Sequence, residues 1–466
     1  MLKGLEVSEV RLSVVQKASY SNRWDSTYFL KEFLKNENIY SQWEPLAKLC
    51  KIKSGTTPKD RDEDLKNGVI LLKTTDIRNN VLQEKGADYF YINENCNKTM
   101  LSSELKANDV LINIVGATTD VVGRVAFVPS DFPKANITQA MSFLRVIDKK
   151  LNPSTLFVFL QTKYGIKQTR RIARPTGQYN INNVELGSFR VPLLPPIFQE
   201  QIEQDVKAAH LKLSESKTLY SQAEYILLNE LGLRDWQGKN EAVSIKRFSD
   251  FTASGRLDAK YYQRKYEDLE DIIKSVSYNT IADLQTFNAR GVQPEYITGG
   301  NVSVVNSQNI LENGLDYDNF EKTSFEFLKQ NERAMIREND ILIYTTGSNI
   351  GRAQPYLLSD IAVASNHVNI LRLEGVNPIY AALVLNSKVG RLQTEKAYTG
   401  SGQVEIYPTE LEKFLIPILP KDKQEVIAEK VKQSFAFRTE SKELMEMAKK
   451  KVEDFIFEMS KENDYK

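Results

Sequence analysis

The segment Phe189-Arg190-Val191-Pro192-Leu193-Leu194-Pro195 returns later in the chain as Phe414-Leu415-Ile416-Pro417-Ile418-Leu419-Pro420. In both copies a Gln-Glu pair follows, at Gln199-Glu200 and at Gln424-Glu425, and the spacing between the copies is 225 residues. Matching segments at a fixed spacing indicate an internal repeat, and a repeat of this length governs the whole fold. We therefore expect the chain to contain two copies of one structural arrangement.

Five further segments match between the two halves, and they occur in the same order. The pairs are Arg23–Phe29 with Arg256–Tyr262, Leu46–Leu49 with Ile281–Leu284, Asn108–Ile112 with Asn339–Ile343, Gly116 with Gly347, and Gly177-Gln178 with Gly402-Gln403. Chance could produce one such match but not an ordered series. The repeat predicts a leading segment, a body and a long helix, twice over. These are residues 1–40, 41–195 and 196–235, followed by residues 236–277, 278–420 and 421–466.

The two bodies are predicted to be similar, β-rich domains in a chain of α+β fold class. Short apolar, β-branched runs separated by Gly, Asn and Pro indicate strands. Such runs lie at Val110–Val115, Val121–Val128, Met141–Ile147 and Ile341–Tyr344. The segment Ser154–Thr169 is predicted to be helical, and its apolar stretch is far too short to span a bilayer.

The closing segments carry a heptad-like apolar stripe, which predicts a coiled-coil seam. Its members are Ile202, Val206, Ala209, Leu213, Ser216, Tyr220, Ala223 and Leu227, and then Ile427, Val431, Ser434, Arg438, Ser441, Met445, Ala448, Val452, Phe455 and Met459. Pro196 and Pro420 mark the two helix starts, and Gly232 ends the first helix. At ~1.5 Å per residue the first rod is roughly 54 Å long. We expect an antiparallel pair separating the bodies in a pseudo-twofold repeat; the alternative is that each helix packs on its own body.

The composition argues against several classes of protein. The chain has 466 residues with 62 basic and 61 acidic side chains, so contacts with nucleic acid must come from local patches. Two cysteines and two histidines are too few for a disulfide framework or a zinc site. No Walker or dinucleotide-binding glycine motif occurs. We predict a cytoplasmic protein with no membrane segment, metal or cofactor.

Two similar bodies on a rod suit a long, regular ligand such as duplex DNA, whose equivalent half-sites lie about one turn, ~34–36 Å, apart. Residues 149–184 hold seven basic side chains and no acid, which favours phosphate contacts. The Gly-Gln pairs at 177–178 and 402–403 would let the backbone approach a ligand and place an amide near a base. A solvated helix face and a simple turn leading into a strand are the alternatives for these two features.

The candidate DNA-binding residues lie in loops at matched places of the two repeats. Those of the first repeat are Thr56, Lys59, Lys73, Thr75, Thr118, Arg124, Lys167, Arg170, Arg171, Arg174, Gly177, Gln178 and Tyr179. Those of the second repeat are Arg290, Gln293, Gln308, Ser348, Asn349, Arg352, Lys396, Tyr398, Ser401, Gly402 and Gln403. We expect Arg124 and Arg352 to contact phosphates. Because the loops match in position but differ in side chains, they predict two domains that read different short sequences.

Taken together, the tandem bodies, the Gly-Gln pairs and the Phe-x-x-Pro-x-x-Pro run into a long helix resemble the specificity subunit of type I restriction–modification enzymes. The resemblance covers essentially the whole chain. It implies two target recognition domains that read the halves of a split sequence in double-stranded DNA, with the helices as spacer. It also implies no catalytic activity. The weaker basic character of residues 375–404 departs from this picture and leaves the second body's share of phosphate contacts open.

The same resemblance implies protein partners. Two methyltransferase subunits would dock on the chain, with the leading segments Arg23–Phe29 and Arg256–Tyr262 as their surface, and restriction–translocation subunits would join through them. The competing classes are a single-chain DNA methyltransferase or nuclease, and a tandem module that binds a glycan or a protein. The Asn/Asp-Pro-Pro-aromatic site of amino-methyltransferases is absent, and a nuclease would depend on scattered carboxylates such as that of Glu104.

Overall fold

The repeat in the sequence is also a repeat of strands and helices. The computed structural model describes residues 9–17, 23, 25–35, 37–40, 43–58, 64–82, 89–239, 241, 243–400 and 404–464. The chain divides into two units. The first unit consists of residues 1–211 and 440–466, and the second unit consists of residues 212–439.

The first unit holds the leading segment and body of the first repeat. Its strands are β1 Glu44–Pro45, β2 Cys50–Ser54, β3 Val69–Leu72, β4 Ile77–Arg78, β5 Val81–Leu82, β6 Tyr91–Ile92, β7 Val110–Asn113, β8 Val115–Gly116, β9 Val125–Phe127, β10 Ala135–Ile137, β11 Met141–Val146, β12 Arg174–Thr176, β13 Gln178–Asn180 and β14 Arg190–Val191. Its helices are α1 Leu12–Lys17, α2 Lys31–Leu34, α3 Glu37–Tyr40, α4 Leu46–Leu49, α5 Glu94–Thr99, α6 Pro153–Gln161, α7 Lys163–Ile172 and α8 Asn183–Gly187. The long helix α9, Pro196–Glu230, begins here.

The second unit holds the corresponding parts of the second repeat. Its strands are β15 Tyr278–Thr280, β16 Gln285–Arg290, β17 Val302–Val305, β18 Ile310–Leu311, β19 Gly314–Leu315, β20 Glu321–Thr323, β21 Met335–Ile336, β22 Ile341–Tyr344, β23 Ala353–Pro355, β24 Ala362–Ala364, β25 Val368–Leu373 and β26 Leu415–Pro417. Its helices are α10 Phe248–Ser254, α11 Arg264–Lys274, α12 Ile281–Leu284, α13 Phe325–Gln330, α14 Pro378–Asn386, α15 Lys388–Ala397 and α16 Pro408–Leu411. The second long helix, α17 Lys421–Asp464, begins in this unit.

The main sheet has the same strand order in both units. It runs β2-β11-β7-β9 in the first and β16-β25-β22-β23 in the second, with antiparallel neighbours throughout. A second sheet also repeats its central parallel pair, β10 with β3 and β24 with β17. The internal repeat is therefore a repeat of topology as well as of sequence.

Two consecutive helices cover the main sheet of each unit, and their starts follow from local sequence. Asn152 and Asn377 cap α6 and α14 by accepting backbone N–H groups, and a proline at the first turn follows each cap. The apolar segment 156–160 of α6 is buried on all sides, which explains why it lacks the polar face of a surface helix.

The two long helices pack on each other in antiparallel fashion within the first unit. The Nζ atom of Lys451 lies 2.6 Å from Oδ2 of Asp205, and the Ser441 hydroxyl donates a hydrogen bond of 2.7 Å to the carbonyl of Ala209. The partner number falls as the number along α9 rises, so the helices run in opposite directions.

The same relation holds within the second unit. The hydroxyl oxygens of Ser216 and Ser434 lie 3.1 Å apart, and Nζ of Lys423 lies 2.8 Å from Oε1 of Glu230. The predicted stripe supplies the buried side of this packing. Its buried members are Ile202, Val206, Ala209, Ser216, Ala223, Leu227, Ile427, Val431, Ser434, Ser441, Ala448 and Val452.

The predicted fold class is confirmed: the chain is α+β, with two similar β-rich bodies and an antiparallel pair of long helices. One strand prediction is wrong in part. Within Val121–Val128 only Val125–Phe127 is a strand, because residues 118–123 form a turn in which Gly123 has a φ of +87°. The predicted helix Ser154–Thr169 is two helices, separated at Thr162, whose hydroxyl caps the second.

Candidate nucleic-acid interface

Two of the predicted loops of the first unit lie side by side with the turn before β11. The backbone N–H of Thr56 donates to the carbonyl of Ile137 at 3.2 Å, and that of Thr138 donates to Leu72 at 3.0 Å. The side-chain amide of Asn113 donates to the carbonyl of Thr74 at 3.1 Å. The loops after β2 and β3 thus meet the turn before β11, and Thr56, Lys73 and Thr75 are exposed there. Lys59 lies outside the described residues.

The Gly177-Gln178 pair forms a hairpin beside the same loops. Strands β12 and β13 pair across Gly177, whose φ of +77° suits glycine, and Tyr179 pairs with Gly116 of β8. Gln178 and Thr118 are exposed. The hairpin therefore joins the loops around β8 to the set just described. Its counterpart residues Ser401, Gly402 and Gln403 lie outside the described residues.

The second unit brings its own loops together in the equivalent way. The backbone N–H of Val292 donates to Ala364 at 3.1 Å, and that of Ser365 donates to Val305 at 3.0 Å. Around this contact lies a cleft of about 310 Å³. We call it the polar cleft, and it is lined by Gln293, Tyr296, Asn306, Ser307, Gln308, Glu321, Ser365, Asn366 and His367.

Sequence reasoning placed Gln293 and Gln308 in this region but missed Asn366 and His367. The His367 Nδ1 atom lies 3.2 Å from the Thr346 hydroxyl oxygen. The signal that could have found them is the repeat itself, because these two residues occupy the turn before β25 that corresponds to the turn before β11. The other histidine, His210, packs its ring against aromatic side chains of the first unit.

Two further clefts occupy equivalent places, between the loop after β8 or β22 and the helix α7 or α15. The first-unit cleft, of about 270 Å³, is lined by Asn79, Asn80, Thr119, Asp120, Val122, Gly123, Arg124, Leu160, Gln161, Ile166, Thr169 and Arg170. The second-unit cleft, of about 250 Å³, is lined by Glu312, Ser348, Asn349, Ile350, Gly351, Arg352, Asn386, Arg391, Thr394, Glu395 and Tyr398. The predicted residues Arg124, Arg170, Ser348, Asn349 and Arg352 therefore lie in matching clefts.

Several predicted DNA contacts are engaged within their own unit instead. Arg171 is 8% exposed; its Nε donates to the carbonyl of Tyr28 at 3.1 Å, and its guanidinium lies 4.4 Å from the centre of the Tyr28 ring. Arg171 therefore leaves the candidate set. Arg174 donates two hydrogen bonds, of 2.9 and 2.6 Å, to the buried Glu185 carboxylate. Lys167, on the same helix α7, is half-buried.

In the second repeat, too, several predicted DNA-binding residues bind partners within their own unit. Lys396 forms an ion pair with Glu270, and Tyr398 is bonded to Lys260 of the leading segment. Arg290 is held at the base of the loops, where it donates to the carbonyl of Ile406 at 2.7 Å. The sequence alone does not indicate these structural contacts, because the partners lie more than 100 residues away along the chain.

The leading segments are fixed to the bodies by one contact that both units share. Arg23 donates to the carbonyl of Ile172 at 2.9 Å, and Arg256 donates to that of Ala397 at 3.3 Å, in each case at the end of the second covering helix. Each arginine also bonds an aspartate two residues later, which lowers the pKa of Asp25 and of Asp258. The repeated Arg-x-Asp motif thus anchors each leading segment to the body of its own unit.

Part of the chain matches the model of a known protein family. Residues 274–448 match the family model described as type I restriction modification DNA specificity domain. Among solved structures, the chain is similar to the type I restriction-modification system S subunit from M. genitalium, with 12% identity, 88% of this chain and 95% of that chain covered, and a TM-score of 0.42. It is also similar to the HsdS subunit from Thermoanaerobacter tengcongensis, with 13% identity, 88% and 95% coverage and a TM-score of 0.27. No curated protein matches the chain.

Residues 274–448 thus resemble a DNA specificity domain of the type I restriction–modification class. Over these residues the predicted resemblance to the specificity subunit of these enzymes is confirmed. Across the described residues no helix has both the length and the apolar character needed to cross a membrane. Within the same residues no three His, Cys, Asp or Glu side chains are grouped so as to hold a metal ion.

Proposed function

We propose that this chain is the non-catalytic sequence-reading subunit of a cytoplasmic type I restriction–modification complex. Each body, residues 41–195 and 278–420, reads one half of a split sequence in double-stranded DNA. The loops gathered around Thr56, Lys73 and Gln178 serve the first half-site, and the polar cleft serves the second. The long helices set the number of unread base pairs between the halves.

The observation that carries the proposal is a shared arrangement with different polar side chains at its exposed loops. Lys73 of the first unit corresponds to Asn306 of the second, and Thr75 corresponds to Gln308. Such side chains differ in the donors and acceptors that they offer to base edges in the major groove. Two domains of one fold would therefore recognise two different short sequences.

The second leading segment supports the docking of methyltransferase subunits. Between residues 243 and 257, four large apolar side chains are more than 70% exposed, namely Val243, Ile245, Phe248 and Leu257. Exposed apolar side chains gathered in a short segment mark surfaces that a protein partner covers. Two methyltransferase subunits would bind at the leading segments, and restriction–translocation subunits would join through them.

The test is a paired deletion of one heptad from both long helices. Residues 213–219 of α9 lie opposite residues 431–437 of α17, so removing both segments keeps the remaining helices in register. At ~1.5 Å per residue the pair shortens by about 10 Å, or about three base pairs. The chain is co-expressed with its methyltransferase partner, and the methylated positions of the host DNA are mapped by sequencing.

We expect both half-sites to be retained and the gap between them to shorten. Deleting residues 213–219 alone is the matched control. It shortens α9 by the same length but leaves α17 intact, so the pairing of the two helices is broken and methylation should be abolished. An unchanged gap in the paired deletion would contradict the spacer role. Methyl transfer by the purified chain alone would contradict the non-catalytic assignment.

A further inference from the structure

The first-unit cleft carries two arginines, Arg124 and Arg170, and the ion pair of Arg170 is weak. Nη2 of Arg170 lies 3.7 Å from Oδ1 of Asp120, and the two side chains are 53% and 76% exposed. An ion pair this long and this exposed contributes little and yields readily to another anion. Arg124 lines the other side of the cleft and is fixed there, because its Nε donates to the carbonyl of Asp120 at 2.8 Å.

The second-unit cleft is similar in volume but is lined by two carboxylates, Glu312 and Glu395, where the first is lined by Asp120. Arg391 lies 3.5 Å from Glu312, and Glu224 of the long helix is within electrostatic reach of the same arginine. Glu395 lines this cleft at the position that Arg170 occupies in the first unit, 225 residues earlier. Glu312 likewise stands at the position of Asn79, in the turn between two short strands.

We infer that the first-unit cleft binds a phosphodiester of the DNA backbone between Arg124 and Arg170, whereas the second-unit cleft binds none. The inference rests on the proposed function and deepens it. Among the other polar groups that line the first-unit cleft, the Asn79 amide and the Thr119 hydroxyl are also able to donate to phosphate oxygens. In the second-unit cleft the carboxylates of Glu312 and Glu395 balance the charges of Arg352 and Arg391, so its lining has no net charge, whereas the lining of the first-unit cleft has one net positive charge. The two half-sites therefore differ in their dependence on salt.

The test exchanges residue types between the two clefts in the full complex with methyltransferase subunits. Arg170→Glu gives the first-unit cleft the residue type of the second, and Glu312→Asn does the reverse. Both side chains are more than half exposed, so neither exchange disturbs a core. Lys432→Glu on α17 is the control, because it changes the net charge as Arg170→Glu does but lies on an exposed helix position.

Affinity is measured between about 0.05 and 0.2 M salt on the target duplex and on a scrambled duplex. Each phosphate contact contributes about 0.9 to the slope of log K against log salt. We expect Arg170→Glu to raise Kd about tenfold on both duplexes and to reduce the slope by about one. Glu312→Asn should increase the slope by about one, and Lys432→Glu should leave it nearly unchanged.

A scan of the duplex with single neutral methylphosphonate linkages identifies the phosphate. The wild-type complex should lose affinity at one linkage beside the first half-site, and the Arg170→Glu complex should be insensitive at that linkage. If Arg170→Glu keeps both the wild-type slope and the sensitivity to every linkage, the phosphate site is excluded. If the wild-type complex does not prefer its target to the scrambled duplex, the proposed function itself fails, and the two failures are thus separate.

Discussion

In the first unit Arg145 donates two hydrogen bonds of 2.7 Å to the fully buried Asp109 carboxylate, and in the second unit Arg372 donates bonds of 2.7 and 2.8 Å to the equally buried Asp340. Each aspartate also accepts the backbone N–H of the residue three positions earlier and so closes the turn before the central strand. The two units preserve this buried arrangement almost atom by atom.

The exposed clefts behave in the opposite way. At the position of Arg170 the second unit has Glu395, and at the position of Asn79 it has Glu312. The comparison shows that the buried ion pair is shared between the units, whereas these two exposed cleft positions differ in charge. A body of this kind can change its ligand without changing its fold, because the two sets of residues do not overlap.

The largest effect is expected from breaking the buried ion pair. Asp109→Ala in the first unit and Asp340→Ala in the second should each lower the free energy of unfolding by about 3 kcal/mol, because the arginine loses its charge partner and the turn loses its acceptor. Urea unfolding followed by fluorescence measures the loss. Asp131→Ala, at an exposed turn of the first unit, should cost less than about 0.5 kcal/mol.

Equal losses in the two units are what the comparison requires. A loss in only one of them would mean that the ion pair supports the fold in one repeat and is dispensable in the other, despite the matching geometry. Asp109 and Asp340, which have equivalent contacts in the two units, would then differ in their contribution to the free energy of unfolding.

A smaller effect is expected at the glycines that let each loop approach its covering helix. Gly123 and Gly351 have φ of +87° and +84°, and an added Cβ would lie 2.3 Å from Cγ2 of Thr169 and 2.5 Å from Oγ1 of Thr394. Alanine at either position should cost about 2 kcal/mol in unfolding free energy, from backbone strain and crowding together. Gly299, with a φ of +78° and open space around its Cβ position, isolates the strain alone and should cost about 1 kcal/mol.

If alanine at Gly123 and at Gly351 lowers the free energy of unfolding no more than alanine at Gly299 does, then Thr169 and Thr394 move aside without destabilising the fold. The loops would then be held near the helices by contacts other than close packing at glycine.

Much of the fold could be predicted because local signals and the repeat agree. Proline at the helix start and the apolar stripe predict the first long helix within residues 196–235, and α9 is observed at Pro196–Glu230. The segment Val121–Val128 shows where such reasoning stops. Its β-branched residues favour a strand, but Gly123 must adopt a left-handed conformation to close the turn, and this requirement comes from the approach of the loop to helix α7.

The candidate site could be predicted only as a set of loops. The repeat identified which loops correspond, and the structure places those of each unit side by side. Whether a predicted side chain is exposed or buried depends on partners that are distant in the sequence. Arg171 is buried against Tyr28, which precedes it by 143 residues, and nothing in the local sequence indicates this contact. Basic composition therefore overestimated the number of side chains that α7 offers to a ligand.

The smallest effect is expected at the anchors of the leading segments, and it depends on pH. Hydrogen bonds from Arg23 and Arg256 hold the pKa of Asp25 and of Asp258 below the usual value of about 3.9. The ionised carboxylates therefore stabilise the fold above that value, and this stabilisation is lost as the pH falls through the lower, folded-state pKa. Asparagine at these positions cannot ionise and therefore lacks this stabilisation. The difference in unfolding free energy between wild type and variant should shrink as the pH is lowered from about 6 to about 3.

The two anchors should differ in size because their arginines differ in burial. Arg23 is 4% exposed and Arg256 is 21% exposed, so losing its carboxylate partner leaves Arg23 the more poorly compensated. We expect about 1 kcal/mol for Asp25→Asn near neutral pH and less for Asp258→Asn, since both carboxylates are more than a third exposed and screened by solvent. Urea unfolding at a series of pH values measures both. A difference that stays constant down to pH 3 would show that the anchors act through packing of the segment and not through the charge on the aspartate.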